Sequence, residues 1–207
     1  MTSSETRGRR RDPEIERRII RAAIDEYART GWAGFSMEGV ARKAGVGKAA
    51  LYLRWSTKEQ LLLDSIDAQS SPLTADVDTG SLHGDLTALA IELIQYFLDP
   101  AGWTSLRISI DARAFGPQLG NLNARIAEPV GAMSDAIFER AVARAEIPDT
   151  VCIRSATETL FGGVLMHVLA LAPEAHPEAI AHSREHVLPI VRLILAGVGA
   201  RSTDIAD

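Results

Sequence analysis

Apolar residues recur at helical spacing along almost the whole chain, and runs that alternate apolar and polar, as a half-buried strand would, are nearly absent. The pattern predicts a first helix over about 13–30. Its inner stripe is Ile15, Ile19, Ala22, Ala23 and Tyr27; Asp12 caps it, Pro13 suits its first position and Gly31 ends it. A short helix follows, capped by Ser36, with Val40, Ala41 and Ala44 on one face. Gly45 stands where a helix-ending glycine turns left-handed, and Val46 is expected as a buried plug in the turn. A second short helix is predicted over 48–54, with Leu51 and Trp55 inward and Lys48, Ala49, Ala50, Tyr52 and Arg54 outward. Thr57 and Gln60 form a capping-box pair opening a fourth helix, from Lys58 to about Ala68, with Leu61, Leu62 and Ile66 inward.

Residues 70–82, SSPLTADVDTGSL, are rich in turn formers and mark a boundary. Beyond them helices are predicted over about 83–98, 102–115, 117–145, 149–172 and 177–197, punctuated by Pro100, Gly116-Pro117, Pro148, Pro173 and Pro177. Pro129 and Pro189 fall inside two of these and should kink or split them. The expected organisation is therefore all-α. A basic arm covers 1–12, a helix-turn-helix domain 13–57, a linking helix 58–69 and a linker 70–82; a second helical domain covers 83–200, and 201–207 form a tail.

Two short helices joined by a glycine turn make a helix-turn-helix, whose second helix enters the major groove by its first residues. Lys48 can reach a guanine edge or a phosphate there, and small Ala49 and Ala50 allow close approach to a thymine methyl. Tyr52, Leu53, Arg54 and Thr57 extend the DNA-facing set, Tyr52 with a hydroxyl for a phosphate oxygen, and Met37 is placed at the groove edge. Lys58 lies in the first turn of its helix, a poor place for a cation, so a phosphate outside is expected to be its partner. Arg10 and Arg11, with Arg7 and Arg9, either follow the minor groove or form a solvated tail.

The net charge of −5 conceals a split: residues 1–60 carry +5 and residues 61–207 carry −10. A basic head on an acidic remainder implies a polyanion-binding module attached to something that avoids nucleic acid. No apolar stretch is long enough to span a bilayer and no apolar leader opens the chain, so a cytoplasmic location is expected. The single cysteine, Cys152, excludes an intramolecular disulfide; it is read as a small core residue with no cation run beside it to activate the thiol. Gly45-Val46-Gly47-Lys48 lacks the leading glycine and trailing hydroxyl of a phosphate loop and follows a helix. No nucleophile elbow, C-x-x-C or H-E-x-x-H is present, so no enzyme, cofactor or metal is expected. His182 and His186 share a helix face near His176 and Glu185, but exposed histidines on an acidic helix account for them as well as a metal site does.

The segment 160–172, LFGGVLMHVLALA, is apolar almost all round, and the last helix is similarly over-apolar. A subunit interface resolves this, with Gly162 and Gly163 admitting a partner helix. The expected interface residues are Phe161, Gly162, Gly163, Leu165, Leu169, Leu188, Val191 and Leu195, in a four-helix bundle across a two-fold axis. The alternative is that they only fill the chain's own core. Phe97, Trp103, Leu106, Ile110, Phe115, Met133, Ile137, Phe161 and Met166 are bulky and lie on helices expected to face one another; they fill a core or line a cavity. Arg107 and His167 are among the polar residues there that could orient a ligand.

The block GWAGFSMEGVARKAGVGKAALYLRWSTKEQLL resembles the DNA-binding domain of the tetracycline-repressor (TetR) family. The resemblance rests on Gly31, Ser36, Ala41, Ala44-Gly45-Val46, Leu51-Tyr52, an aromatic at Trp55 and Thr57-Lys58-Glu59, and covers about the first third of the chain. Gly39 departs from it, standing where an acidic residue is usual, and Trp55 stands where phenylalanine is commoner. The resemblance implies a homodimer that binds double-stranded DNA at a palindromic operator, represses transcription, and is released when a small-molecule effector enters the second domain. A helical carrier or enzyme that kept a DNA-binding head, and a nonspecific architectural DNA binder, are the alternatives.

Overall fold

The computed structural model describes residues 13–69 and 77–200, the backbone alone at 69, 117–118, 120–121, 123 and 125–130. The arm 1–12, the linker residues 70–76 and the tail 201–207 lie outside the described residues. The described fold is all-helical and divides into two compact units, Met1–Gln69 and Ser70–Asp207.

In the first unit, α1 (Pro13–Gly34) carries Ile19, Ala22, Ala23 and Tyr27 into the core, while Ile15 is half-buried. The helix breaks at Gly31 (φ 61°) as its sequence predicts, then makes one further turn that buries Trp32. α2 (Met37–Ala44) opens on Ser36, whose Oγ accepts from the Gly39 N–H at 3.1 Å. It ends on Gly45 at φ 64°, and Arg18 of α1 donates to the freed carbonyl of Ala44 at 3.0 Å. α3 (Lys48–Tyr52) is shorter than expected, because a tighter turn closes it at Arg54. α4 (Lys58–Gln69) packs Leu61, Leu62 and Ile66 inward. The rings of Tyr27 and Phe35 meet edge-on, 5.5 Å apart, at the centre. Val46 is only half-buried; the turn is closed by the backbone bonds of Gly45 N–H to Arg42 and Val46 N–H to Ala41 rather than by a plug.

Gly39, the departure from the family pattern, has a cause in space. Glu26 of α1 is buried, held by Arg29 at 3.0 Å, and its Oε1 would lie 2.7 Å from a Cβ on Gly39. A carboxylate from the neighbouring helix thus occupies the start of α2, where the positive end of the helix dipole favours an anion.

The second unit is built on α5 (Leu82–Leu98), which packs against α6 (Pro100–Ala143), α7 (Ile153–Ala170) and α9 (Ser183–Gly197). A 3-10 turn (Pro173–Ala175) and α8 (His176–Ala181) join α7 to α9. The core is Leu86, Leu89, Leu93, Ile94, Ile137, Phe138, Leu160, Val164, Val187 and Val191 with their neighbours. Pro100 begins α6 rather than interrupting the chain, since Asp99 caps the Ala101 N–H at 2.8 Å and a proline at the first position loses no helical bond. The long helix leaves helical dihedrals at Phe115, before Gly116-Pro117, and runs on through Pro129. Likewise the last predicted helix divides at His182 and runs unsplit through Pro189, where a kink or a split was expected.

Asp85 is fully buried at the start of α5. It accepts from the Thr79 backbone and hydroxyl at 2.6 and 2.7 Å and faces Arg144 at 3.2 Å and Arg140 at 3.8 Å. Glu146 accepts from the Leu82 N–H and from Arg144, so these groups fix residues 77–82 against the end of α6.

Cys152 departs from its expected place. It is exposed, at the cap of α7, because the inward face of that helix begins four residues later at Ala156. The Ser155 hydroxyl donates to its sulfur at 3.3 Å and so lowers the thiol pKa.

Candidate nucleic-acid interface

Burial of Leu51 and Trp55 sets the rotation of α3 and so decides what it shows outward. Lys48, Ala49, Tyr52 (48% exposed) and Leu53 (83% exposed) form its outer face, and Ala50 is half-buried at the margin. All five belong to the expected DNA-facing set. The Lys48 ammonium is hydrogen-bonded to Glu38 of α2 and lies 5.7 Å from the Tyr52 ring centroid. That bond raises the lysine pKa and lowers the glutamate's, so both remain charged around neutrality.

Three members of the expected set are placed differently. Met37 is buried in the head and does not reach the surface; its helical phase turns it to the core, and Glu38 takes the exposed position beside it. Arg54 is folded back: Nη1 donates to the Ala50 carbonyl at 3.1 Å and Nε lies 3.9 Å from Glu16. Lys58 does not depend on a phosphate to explain its place. Its Nζ donates to the carbonyls of Trp32 and Phe35, both at 3.2 Å, and sits 3.8 Å over the Trp32 ring. Those carbonyls, in and just past the last turn of α1, supply the negative charge that the start of α4 lacks. Burial lowers the Lys58 pKa.

Thr57 is exposed and caps Gln60 N–H at 3.2 Å; the Gln60 side chain turns instead to Asp64 at 2.8 Å, so half of the capping box forms. Asp64 also receives the Trp55 indole N–H at 2.9 Å. Arg10 and Arg11 lie outside the described residues. Glu38 was missed in the sequence, where an acid in a first helical turn reads only as a partner for the helix dipole.

The residues expected to line a ligand cavity are divided. Phe97, Met133 and Ile137 are buried in the core of the second unit, and Phe161 packs on it. Ile110 (62% exposed) and Met166 (64% exposed) point outward, and Trp103 is exposed. α7 turns Leu160, Val164 and Val168 inward, which throws Met166 to the opposite side. Leu106 is half-buried, and Arg107 lies 4.0 Å from Asp111. His167 is hydrogen-bonded, Nε2 to Nδ1, to His186 at 2.8 Å; burial and the neighbouring imidazole lower its pKa. A groove of about 330 Å³ lies elsewhere, between the start of α7 and the end of α9, lined by Cys152, Ser155, Thr159, Leu193 and Gly197 among others.

The expected interface set divides similarly. Val191 and Leu195 are buried in the chain's own core, and Phe161, Leu165 and Leu188 are half-buried. Gly163 makes its close approach within the chain, since a Cβ there would lie 2.9 Å from Cγ2 of Ile190. Gly162 and Leu169 face outward on α7 with Met166, and Leu193 (75% exposed) faces outward on α9. His182 and His186 both turn to Glu178, at 3.4 and 3.1 Å. Among the described residues no three His, Cys, Asp or Glu side chains are grouped to hold a metal, and no single helix is long and apolar enough to cross a membrane.

Comparison with known proteins places this geometry. Residues 19–64 match the family model described as "Bacterial regulatory proteins, tetR family", and residues 76–187 match "Tetracyclin repressor-like, C-terminal domain". The chain is 30% identical over 200 residues to the HTH-type transcriptional regulator AqdR of Rhodococcus erythropolis, covering 95% of this chain and 93% of that protein. It is 37% identical over 71 residues to the DNA-binding transcriptional repressor TetR of Mycobacteroides abscessus, covering 34% and 37% of the two chains. The solved structure of Salmonella enterica GusR superposes with a TM-score of 0.69 at 19% identity, covering 93% of this chain and 100% of that one. With a helix-turn-helix head, an all-helical second unit and family matches on both, the chain belongs to the TetR family of bacterial regulatory proteins and is a DNA-binding transcriptional regulator.

Proposed function

We propose that the protein is a repressor that holds a palindromic operator as a homodimer and leaves it when a small molecule binds the second unit. The observation that carries this reading is the outer face of α3, where Lys48, Ala49, Tyr52 and Leu53 stand clear of the head on a helix anchored by Leu51. Lys48, Ala49 and Ala50 read base edges; Tyr52 and Thr57 hold phosphates; Leu53 meets a thymine methyl or sugar. Arg54 and Lys58 act by fixing the head. Two heads read half-sites about 34 Å apart, or a multiple of that.

The exposed apolar side chains of α7 and α9, Met166, Leu169 and Leu193, support dimerisation through their outer faces. The effector enters the second unit among helices α5 to α7, where Phe97, Met133, Ile137 and Phe161 supply an apolar wall. Its binding shifts α4 and with it the spacing of the two heads. Operator and effector then oppose each other by the same factor in both directions. As a regulator rather than an enzyme, the protein acts beside the chromosome in the cytoplasm.

The test is selection of bound sequences from a random duplex pool at near-physiological salt, followed by screening small molecules for release. Enrichment of a palindrome with fixed half-site spacing is expected. Binding without an enriched motif, lost steeply as salt rises, overturns the reading in favour of an electrostatic head alone.

A further inference from the structure

The ammonium of Lys48 does not stand alone at the reading face. Glu38, ten residues earlier in the first turn of α2, is hydrogen-bonded to it, and both side chains are about half exposed (54% and 52%). We propose that Glu38 is a specificity-determining residue: with Lys48 it forms an acceptor–donor pair that selects a G·C base pair in each half-site. This rests on the reading of Lys48 as a base-contacting residue.

The bond lies on the surface, where an ion pair contributes little to stability, so the fold does not require it. Tyr52 stands one helical turn further along α3, 5.7 Å from the ammonium, so carboxylate and ring together hold the ammonium in place. An ammonium has three donors; with one given to Glu38, two remain for the groove. A carboxylate at a DNA surface is repelled by the phosphates of any sequence. That cost is offset only where a base edge offers it a donor. Guanine presents two neighbouring acceptors, O6 and N7, and its paired cytosine places the N4 amino group beside them. Two lysine donors meet O6 and N7 while the carboxylate accepts from N4. An A·T pair also offers the carboxylate a donor, the adenine N6 amino group, but that group separates the acceptors N7 and O4, so only one lysine donor is met, and the thymine methyl lies next to the charge. Glu38 therefore penalises duplex in general and G·C least.

The experiment compares the full-length protein with Glu38→Gln and Lys48→Ala, by duplex selection and then by affinity for the selected operator and for copies with each G·C pair under α3 changed to A·T. The unfolding temperature of each variant is measured alongside, and is expected to stay unchanged because both residues are exposed. The wild type is expected to prefer G·C at one position per half-site by about tenfold, the scale of one good base contact. Glu38→Gln should reduce that preference to about twofold or less while tightening binding to random duplex, and Lys48→Ala should lose the preference at the same position. If Glu38→Gln tightens binding to every sequence equally and keeps the preference, Glu38 is a general repellent and the proposal falls. If Lys48→Ala loses the preference and Glu38→Gln keeps it, Lys48 reads bases without Glu38. No change of preference in either variant removes the Lys48 reading and the proposal with it.

Discussion

The carboxylate of Glu26 stands where a side chain at position 39 would be, 2.7 Å from the Cβ that Gly39 lacks. An acid is usual at that position in the family pattern; here α1 supplies it from below. Adding a second acid should therefore be costly. Gly39→Asp is expected to destabilise the protein by about 2 kcal/mol, from overpacking and like-charge repulsion. Adding Glu26→Ala to it should restore most of the loss. Urea denaturation of the single and double variants checks this; equal loss in both would mean that Glu26 is not the obstacle.

Lys58 offers a second test. Because its ammonium bonds two carbonyls and covers Trp32, Lys58→Met should lower stability in the absence of DNA by about 1–2 kcal/mol. Lys48→Ala, with its charge on the surface, should leave the unfolding temperature within about a degree, the scale of ordinary surface changes. Thermal unfolding of both variants without DNA separates a structural lysine from a reading one.

The burial of His167 beside His186 makes the second unit sensitive to acid. The folded-state pKa of His167 lies below the ordinary histidine value of 6.5, through burial first and the second imidazole next, so the unfolded chain takes up its proton more readily. The stability this contributes is present above pH 6.5 and is lost as pH falls below it toward the folded-state value. Glu178, bonded to His186, is the neighbouring carboxylate. Denaturation at pH 7.5 and 5.5 should show a larger acid loss in the wild type than in His167→Gln. Equal losses would assign the acid sensitivity to other groups.

Adjacent glycines on α7 should behave in opposite ways. Gly163→Ala meets Ile190 and is expected to cost about 1–3 kcal/mol. Gly162→Ala meets nothing within 4 Å in the single chain and should gain up to about 1 kcal/mol from helix propensity when measured at concentrations where the chain is monomeric. Leu193→Glu, on the outer face of α9, should leave the fold intact and shift a dimer toward monomer. Sedimentation velocity combined with unfolding curves reads all three.

Much of the head is legible from local signals, because each acts within a few residues. Ser36 caps the helix beside it, Gly45 ends it, and Leu51 with Trp55 defines an inward side over four residues. What the sequence hides acts across distance. Nothing near Gly39 announces Glu26, thirteen residues back, and the carbonyls that hold Lys58 lie 26 and 23 residues away. Met37 fails for a different reason: at the first turn of a short helix one residue of phase separates core from surface, and Glu38 takes the outward place. In α7 the signal saturates. When every face is apolar, periodicity cannot say which faces inward, so Met166, assigned to a cavity, is exposed and Val191 of α9, assigned to an interface, lies in the chain's own core.

The bonds that fix Lys58 and Trp55 also have a mechanical meaning. Lys58 joins the first turn of α4 to the end of α1, and the Trp55 indole is tied to Asp64, two turns along α4. The twelve residues of α4 span about 18 Å at 1.5 Å per residue. Tied at its first turn and again at mid-length, α4 is joined both to the end of α1 and to Trp55, just past the reading helix, so its direction is set by the same head that presents Lys48.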